Sequence, residues 1–256
     1  MMDVFVRGIG FFTPGFASAS AWCDGKEDPA LEKPEAAVLE GALRRRATPL
    51  TRLSIEALSQ AVRMAGAELA TIATVWGTAH GEHTPAIKML KMMKTGEGRV
   101  SPTQFHNSVH NTAGGYASIT STNTCGSTTL TGGSELLGAA LLEAICRIDE
   151  TQEDVAVVLG DERLQSPFEF GARTADLAYA LVLSPREEGA QARLSDLALE
   201  AEGPLAEEHA RFGPLYISAG LPLLSAIARG EASRVPLELG RPGGGPRWSV
   251  TISPGA

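Results

Sequence analysis

The sequence lacks the features that mark secreted, membrane-spanning and nucleic-acid-binding proteins. Its three cysteines, Cys23, Cys125 and Cys146, are odd in number and irregularly spaced, which predicts reduced thiols in a cytoplasmic protein rather than a disulfide framework. There is no apolar run of roughly eighteen residues, so no transmembrane helix is expected. The formal net charge of -8 at pH 7 argues against unspecific binding to nucleic acid or to an anionic membrane.

What the chain does have is the composition of an ordinary globular protein. Its 256 residues are 43% hydrophobic and 20% charged, which is enough to bury a full core without a disulfide or a structural metal. We therefore expect a protein that folds without a disulfide or a metal, and we also expect no cofactor.

Apolar patterning and turn residues predict alternating strands and helices. Leu50–Ala70 repeats apolar residues at helical spacing with Thr51 placed as a cap, and a second helix begins at Thr84-Pro85. Further helices are predicted after Asn111, over Leu136–Ile148, and over Leu215–Arg229 with an interruption at Pro222. Strands are predicted over Val4–Phe12, Thr71–Thr78, Val155–Gly160, Ala175–Leu183 and Arg247–Ser253. The last of these could form an edge of the sheet. This alternation predicts an α/β fold with a layered sheet.

Four segments in a fixed order carry a specific resemblance. They are Leu43–Leu53, Val100–Asn111, Leu141–Ala144 and Ala178–Ser184. Together they resemble the N-terminal half of the thiolase fold as found in β-ketoacyl synthases. The match is closest to the stand-alone ketosynthase-like proteins of aryl-polyene pigment clusters, which are described as chain-length-factor partners of a true ketosynthase.

The resemblance implies a half-thiolase, ketosynthase N-terminal-like domain, with a layered sheet and flanking helices, over residues 1–185. Residues 186–256 are then expected to form a C-terminal extension packed on the same domain. Fold resemblance alone does not establish an activity, so the candidate site must be judged from its own residues.

An active ketosynthase needs a cysteine at a strand-to-helix turn, where the helix N-terminus lowers the thiol pKa and backbone N–H groups hold the oxyanion. Counting back along the helix from Ile145 places the equivalent position near Thr131, within Thr129–Ser134. That segment contains no cysteine, and a threonine hydroxyl cannot act as a thiolate does. The resemblance therefore predicts a chain without its own catalytic nucleophile.

Two alternative nucleophiles stay open. Cys125, in Asn123–Thr128, resembles a ketosynthase Cys-x-Ser pattern, although the five residues after Ile119 leave little room for a helix end and a complete strand before it. Ser134 paired with a histidine such as His106 is the other. Cys146 is expected on the apolar side of its helix.

The histidines favour a structural or partner-facing role. His106 and His110 are four residues apart, which on a helix would place both on one face, but no third metal ligand is evident and we expect no metal. In the resemblance this segment runs close to a subunit interface, which makes His106, Asn107, His110 and Asn111 candidate partner contacts. His209 is the one histidine after residue 110. Its sequence neighbours are charged, as is typical of a helix surface, whereas the catalytic histidines of the family have a different sequence context.

These inferences favour a non-catalytic ketosynthase-like subunit that forms a heterodimer with a full-length ketosynthase in polyene, polyketide or fatty-acid-type chain elongation. It would meet the acyl carrier protein through that partner. Because the average charge repels an acidic carrier, direct docking would need a local basic patch; Arg44–Arg46 is one candidate, and a merely solvated helix end is its alternative. The competing hypotheses are a cysteine-dependent acyltransferase using Cys125, and a homodimer that binds an acyl chain or a carrier without catalysis.

Overall fold

The computed structural model describes residues 2–96, 98–166, 168, 174–240 and 245–255. The strands are β1 (Val4–Phe12), β2 (Ala73–Thr78), β3 (Ser127–Thr131), β4 (Val155–Asp161), β5 (Leu177–Ser184), β6 (Ala192–Glu200), β7 (Ser233–Pro236) and β8 (Arg247–Pro254). The helices are α1 (Ala19–Cys23), α2 (Gly41–Arg46), α3 (Pro49–Ala65), α4 (His83–Thr95), α5 (Pro102–His106), α6 (Thr112–Ser121), α7 (Leu136–Thr151) and α8 (Leu221–Arg229), with a 3₁₀ helix at Tyr216–Gly220.

The eight strands of the described residues join one mixed sheet in the order β3-β2-β4-β5-β1-β6-β8-β7. Strand β2 runs parallel to both β3 and β4, whereas β5 is antiparallel to β4 and β1. The strands β6, β8 and β7 continue the sheet in antiparallel fashion beyond β1. The predicted α/β layered sheet is confirmed, and residues after 185 extend that same sheet.

Two hydrophobic cores lie on opposite faces of this sheet. One contains α7, α8 and the 3₁₀ helix, and the other contains α3 and α6. Strands β4 and β5 are buried along their whole length, as continuous apolar runs covered on both faces should be. The result is a three-layer arrangement of helices, sheet and helices.

Strand β1 shows why α3 packs so closely on the sheet. A Cβ atom built at Gly8 would lie 2.1 Å from the carbonyl oxygen of Ala61, and one at Gly10 would lie 1.8 Å from that of Ala57. No side chain fits in either space, so only glycine lets the helix backbone approach the strand. The pairing of β1 with β5 shifts register between Val6 and Gly8, and this irregularity changes which residues face each layer.

Several predicted boundaries need correction. Helix α3 ends at Ala65, not at Ala70, because Gly66 adopts a left-handed conformation that caps the helix. The N-cap of α3 is Thr48 and not Thr51: the Thr48 hydroxyl accepts a hydrogen bond from the backbone N–H of Thr51. Strand β8 is not an edge strand, since β7 pairs along its outer side. Strands β3, β6 and β7 were not predicted. In the described part of the chain, no helix combines the length and the apolar character needed to cross a bilayer.

Candidate functional site

The carboxyl ends of three parallel strands meet at one edge of the sheet, where binding sites of α/β proteins commonly form. Strand β2 ends at Thr78, β3 at Thr131 and β4 at Asp161. Three buried carboxyl groups of the described residues lie at or directly after these strand ends: Glu82, Asp161 and Glu162. This edge is therefore the candidate site.

Asp161 fixes the backbone that leaves β2. Its carboxylate accepts hydrogen bonds from the Thr78 hydroxyl at 2.7 Å and from the backbone N–H groups of Ala79 and His80, each at 3.0 Å. Complete burial raises the pKa of Asp161, and these hydrogen bonds oppose the rise. Asp161 thus orients the segment that carries His80, whose ring stacks on Tyr216 with centroids 6.2 Å apart.

Glu82 connects that segment to α3. Its Oε1 atom accepts hydrogen bonds from the hydroxyls of Thr48 and Thr51, both at 2.8 Å, while its Oε2 atom is buried without a partner. Glu82 is only 3% exposed, and burial raises its pKa to about 8. The carboxyl is therefore mostly neutral at pH 7.

Glu162 is a second buried carboxyl beside the same segment. Its Oε2 atom accepts a short hydrogen bond from the Thr84 hydroxyl, which in turn accepts one from Gln165. Burial raises the pKa of Glu162 to about 7, with a further contribution from the charge of Asp176. Glu82 and Glu162 also repel each other electrostatically, which favours their neutral forms.

Two adjoining depressions open at this edge. A cavity of about 320 Å³ is lined by Ala79, His80, Gly81, Glu82, Ala86, Ser108, Val109, His110 and Thr131. A groove of about 300 Å³ lies between α6 and β3 and is lined by His110, Asn111, Gly114, Gly115, Ser118, Ser127 and Thr129. His110 lines both, so the cavity and the groove adjoin.

The segment named from the sequence as the nucleophile-equivalent position forms a strand-to-helix turn. Thr131 is the last residue of β3, and α7 begins at Leu136 after Gly132, Gly133, Ser134 and Glu135. The Ser134 hydroxyl is buried and without a hydrogen-bond partner. No described histidine donates to it or accepts from it, so Ser134 has no base to activate it.

The cysteines lie away from this turn. Cys125 is exposed between α6 and the start of β3, at the opposite end of that strand, and its Sγ atom lies 3.3 Å from the Thr71 carbonyl oxygen. Cys146 is exposed as well, which corrects the prediction of an apolar environment: it lies on the outer side of α7. Cys23 is partly buried near Ser225.

The four candidate partner contacts separate into two groups. His106, His110 and Asn111 are exposed. Asn107 is buried, because its amide donates to the Arg46 carbonyl at 2.7 Å and accepts from the Tyr116 hydroxyl at 3.1 Å. Its side chain has no surface to offer a partner, so its role is to hold the segment against α2 and α6.

The structure also corrects two predictions about the histidines. His106 ends α5 while His110 lies in the connection before α6, so the two do not share a helical face. No group of metal-binding side chains occurs among the described residues. His209 is not on a helix either: it packs against Trp22 and Phe212, and burial together with Arg211 lowers its pKa.

Sequence reasoning missed Asp161, Glu82 and Glu162. The sequence did contain a signal for Asp161 and Glu162, because these two consecutive carboxylates directly follow a wholly apolar run predicted as a strand. Nothing local marks Glu82, whose partners are two threonines more than thirty positions earlier in the sequence.

One family model matches most of the chain. Residues 19–231 match the family described as β-ketoacyl synthase, N-terminal domain. A comparison with functionally curated proteins gives no significant match.

Among solved structures, the chain is similar to one in the complex of the ketosynthase ApeO with its chain length factor ApeC from Xenorhabdus doucetiae (TM-score 0.72, 20% identity, covering 98% of this chain and 100% of that chain). It is also similar to the ishigamide ketosynthase/chain length factor (TM-score 0.71, 13% identity, 98% and 99% covered). A third relative is AntDE:AntF, a type II PKS acyl-carrier protein in complex with its ketosynthase bound to the hexaketide (TM-score 0.71, 13% identity, 98% and 99% covered). At these identities the likeness establishes the fold.

Proposed function

The chain belongs to the family of β-ketoacyl synthase N-terminal domains, and from that premise we propose that it is a non-catalytic subunit of the chain-length-factor type. It forms a heterodimer with an active β-ketoacyl carrier-protein synthase in polyene, polyketide or fatty-acid-type chain elongation. The observation that carries the proposal is the strand-to-helix turn after Thr131, which has the position expected of a ketosynthase nucleophile and contains no thiol.

The residues around that turn support a role without catalysis. Carbon–carbon bond formation by a ketosynthase needs a thiolate to hold the acyl chain and basic groups to assist decarboxylation. Here the turn consists of Gly132, Gly133, Ser134 and Glu135, and the buried Ser134 hydroxyl has no hydrogen-bond partner among the described residues. Cys125 is at the other end of β3, away from any helix N-terminus. The active partner would supply the nucleophile and the histidines.

Pairing through β3 and residues 101–120, here called the pairing surface, is consistent with the exposure of this region. Strand β3 is the terminal strand of the sheet, with a row of backbone groups available to another chain. Phe105 is 66% exposed and Ile119 is 59% exposed, and Val109 is also exposed. Large apolar side chains grouped on a surface favour a protein interface.

The cavity beside the pairing surface suggests how the subunit contributes to chain length. It lies where β2 and β3 end, and its walls combine small apolar residues with His80, His110 and a mostly neutral Glu82. A wall whose carboxyl is neutral can accommodate an apolar acyl chain at a lower cost than a wall with a bare carboxylate. We place the end of the elongation tunnel here, formed jointly with the ketosynthase, in a cytoplasmic complex that receives its substrate from an acyl carrier protein.

The decisive experiment is co-expression with a full-length ketosynthase, followed by mass measurement of the purified species. A stable 1:1 or 2:2 complex that elongates acyl chains, and that keeps its activity with Cys125→Ala, is expected. Loss of elongation in Cys125→Ala would instead identify a cysteine-dependent acyltransferase. A mass that shows only copies of this chain would favour the homodimeric binder.

A matched pair of variants locates the interface. Ile119→Asp places a charge on the exposed face of α6 and should abolish the complex, because an unpaired carboxylate would be buried at the contact. Leu199→Asp is the control, since Leu199 is similarly exposed (52%) but lies on β6, far along the sheet from β3. Equal effects of the two substitutions would contradict pairing through α6.

A further inference from the structure

A further cavity is separate from the two depressions at the sheet edge and shares no lining residue with them. Its walls come from α1, the 3₁₀ helix, α8, β7 and residues 205–209 of the connection after β6. The volume is about 530 Å³, within the range of roughly 300–1,000 Å³ that is usual for pockets that hold small organic molecules. Neither the pairing surface nor the turn after Thr131 uses this cavity, so the proposed function gives it no role.

Part of the cavity wall is apolar and held firmly in place. The Trp22 ring packs edge-on against Phe16, with centroids 4.9 Å apart, and lies 5.6 Å from the ring of Phe212. Leu221 and Pro222, at the start of α8, line the same cavity. An indole fixed by other rings offers a large contact area and loses little side-chain freedom when a ligand packs on it.

The exposed part of the wall is acidic. Glu207 and Glu208 both line the cavity, both are exposed, and neither belongs to an ion pair among the described residues. No lysine or arginine is among the described residues that line it. Two unpaired carboxylates in a cleft attract a positively charged ligand and repel an anion.

The two remaining polar groups of interest are neutral. The Nδ1 atom of His209 accepts a hydrogen bond from the backbone N–H of Arg211 at 3.1 Å, which leaves the imidazole proton on Nε2. Burial and the charge of Arg211 lower the pKa of His209, so this ring adds no positive charge to the wall at pH 7.

Ser218 is the least exposed residue of the wall, at 2%, and its hydroxyl has no hydrogen-bond partner among the described residues. A buried hydroxyl without a partner costs stability, and folded proteins rarely leave one in that state. A polar atom of a molecule in the cavity would give the Ser218 hydroxyl the partner that it lacks.

We propose that this cavity (the amine site: Trp22, Glu207, Glu208, His209 and Ser218) binds a small organic ammonium compound with a flat apolar body. The body packs on Trp22 and on the apolar start of α8, and the ammonium group lies against the two carboxylates. Attraction of the cation to the face of the indole adds to this contact. The inference goes beyond the proposed function and does not depend on it, because the amine site shares no residue with the pairing surface.

Other classes of ligand fit the amine site less well. A carboxylate or phosphate compound would meet Glu207 and Glu208 without a cation in the wall to compensate the repulsion. A neutral compound of the same shape would keep the apolar contacts and lose the attraction to the carboxylates. A lysine of another protein has the required charge but no flat body to cover Trp22. Selectivity by charge at constant shape is therefore the property to measure.

The test uses isothermal titration calorimetry of the full chain with four probes, at low and at moderate salt. 2-Phenylethylamine carries the ammonium group and a ring, 2-phenylethanol is its neutral counterpart, and 3-phenylpropanoate is the anionic one. Nα-acetyllysine amide carries the ammonium group without a ring.

The first variant, Glu207→Gln/Glu208→Gln, removes the charge of the wall. Its control is Glu187→Gln/Glu188→Gln, which are likewise two consecutive exposed glutamates. The second variant, Ser225→Leu, fills the cavity from α8, where Ser225 is only partly buried. Thermal unfolding of each variant checks that the fold is retained.

2-Phenylethylamine should bind about tenfold more tightly than either ring compound without an ammonium group, and moderate salt should weaken the amine alone. Glu207→Gln/Glu208→Gln should raise the amine Kd about fivefold and leave the alcohol Kd within about twofold, while the control changes neither. Ser225→Leu should weaken both at an unchanged Tm.

Four results would overturn the proposal. They are no saturable binding of the amine, equal or tighter binding of 3-phenylpropanoate, an amine Kd that Glu207→Gln/Glu208→Gln changes no more than the control does, and tighter binding of Nα-acetyllysine amide. The last result would assign the cavity to a basic protein partner. None of the four bears on pairing with a ketosynthase, which is measured separately by mass.

Discussion

Replacing Glu82 by glutamine tests whether the carboxyl at the edge of the sheet is neutral in the folded protein. Its pKa is raised by burial from 4.5 to about 8. Between these two pH values the folded protein holds one proton more than the unfolded chain, so the free energy of unfolding falls as the pH rises. Above the folded pKa both states are ionised and the decline stops.

The size of this loss in the free energy of unfolding follows from the distance between the working pH and the folded pKa of Glu82. The slope is about 1.4 kcal/mol per pH unit, and roughly two units separate pH 6 from the folded pKa, so the wild type should lose about 2.5 kcal/mol between pH 6 and pH 9 through this group. Glu82→Gln carries no titrating proton but keeps an amide oxygen to accept the Thr48 and Thr51 hydrogen bonds. The stability of the variant relative to the wild type should therefore rise by that same amount.

Urea unfolding followed by tryptophan fluorescence at pH 6 and pH 9 provides the measurement. Glu68→Gln, at an exposed position, is the control, and its difference from the wild type should not depend on pH. If the free energies of unfolding of the wild type and of Glu82→Gln change with pH by the same amount, within about 0.5 kcal/mol, the reasoning is refuted. That result would show that the Glu82 carboxyl titrates alike in the folded and the unfolded protein.

Three further predictions concern the fold and its thiols. Gly10→Ala should destabilise the protein by about 3 kcal/mol in urea unfolding, because the new Cβ would overlap the Ala57 carbonyl; a loss below about 1 kcal/mol would mean that α3 can move away. Tyr179→Phe should lower the free energy of unfolding by about 1–3 kcal/mol, since the buried Ile217 carbonyl loses its donor, and an unchanged stability would count against that hydrogen bond. Cys125→Ala should remove one rapidly reacting thiol in a titration with Ellman's reagent without changing the Tm; slow reaction in the wild type would contradict the exposure of Cys125.

The central strands and long helices could be predicted because their patterns are produced by burial. Strand β1 has the predicted bounds, and α7 begins at Leu136 as expected, extending three residues past the predicted end. Strand β3, Ser-Thr-Thr-Leu-Thr, gave no such signal, since a terminal strand that is partly exposed needs no apolar alternation. Its absence from the prediction also hid the edge on which the pairing surface is built.

At the site, local sequence could indicate the turn after Thr131 but not the carboxyls around it. The position of the turn follows from helix counting, which uses only neighbouring residues. The environment of Glu82 depends on Thr48 and Thr51, which α3 brings into contact with it from a distant part of the chain. Burial of a charge by distant elements is a property of the fold and leaves no mark on the adjacent sequence.

The position of β1 between β5 and β6 has a consequence for synthesis of the protein on the ribosome. Both strands that pair with β1 are made more than 160 residues after it, at Leu177–Ser184 and Ala192–Glu200. At translation rates of roughly 5–20 residues per second, this apolar strand waits about ten to thirty seconds without a partner. Helix α3 emerges much earlier and packs on the glycines of β1, so it can shield one face of the strand from chaperones and from other nascent chains before β5 and β6 are made.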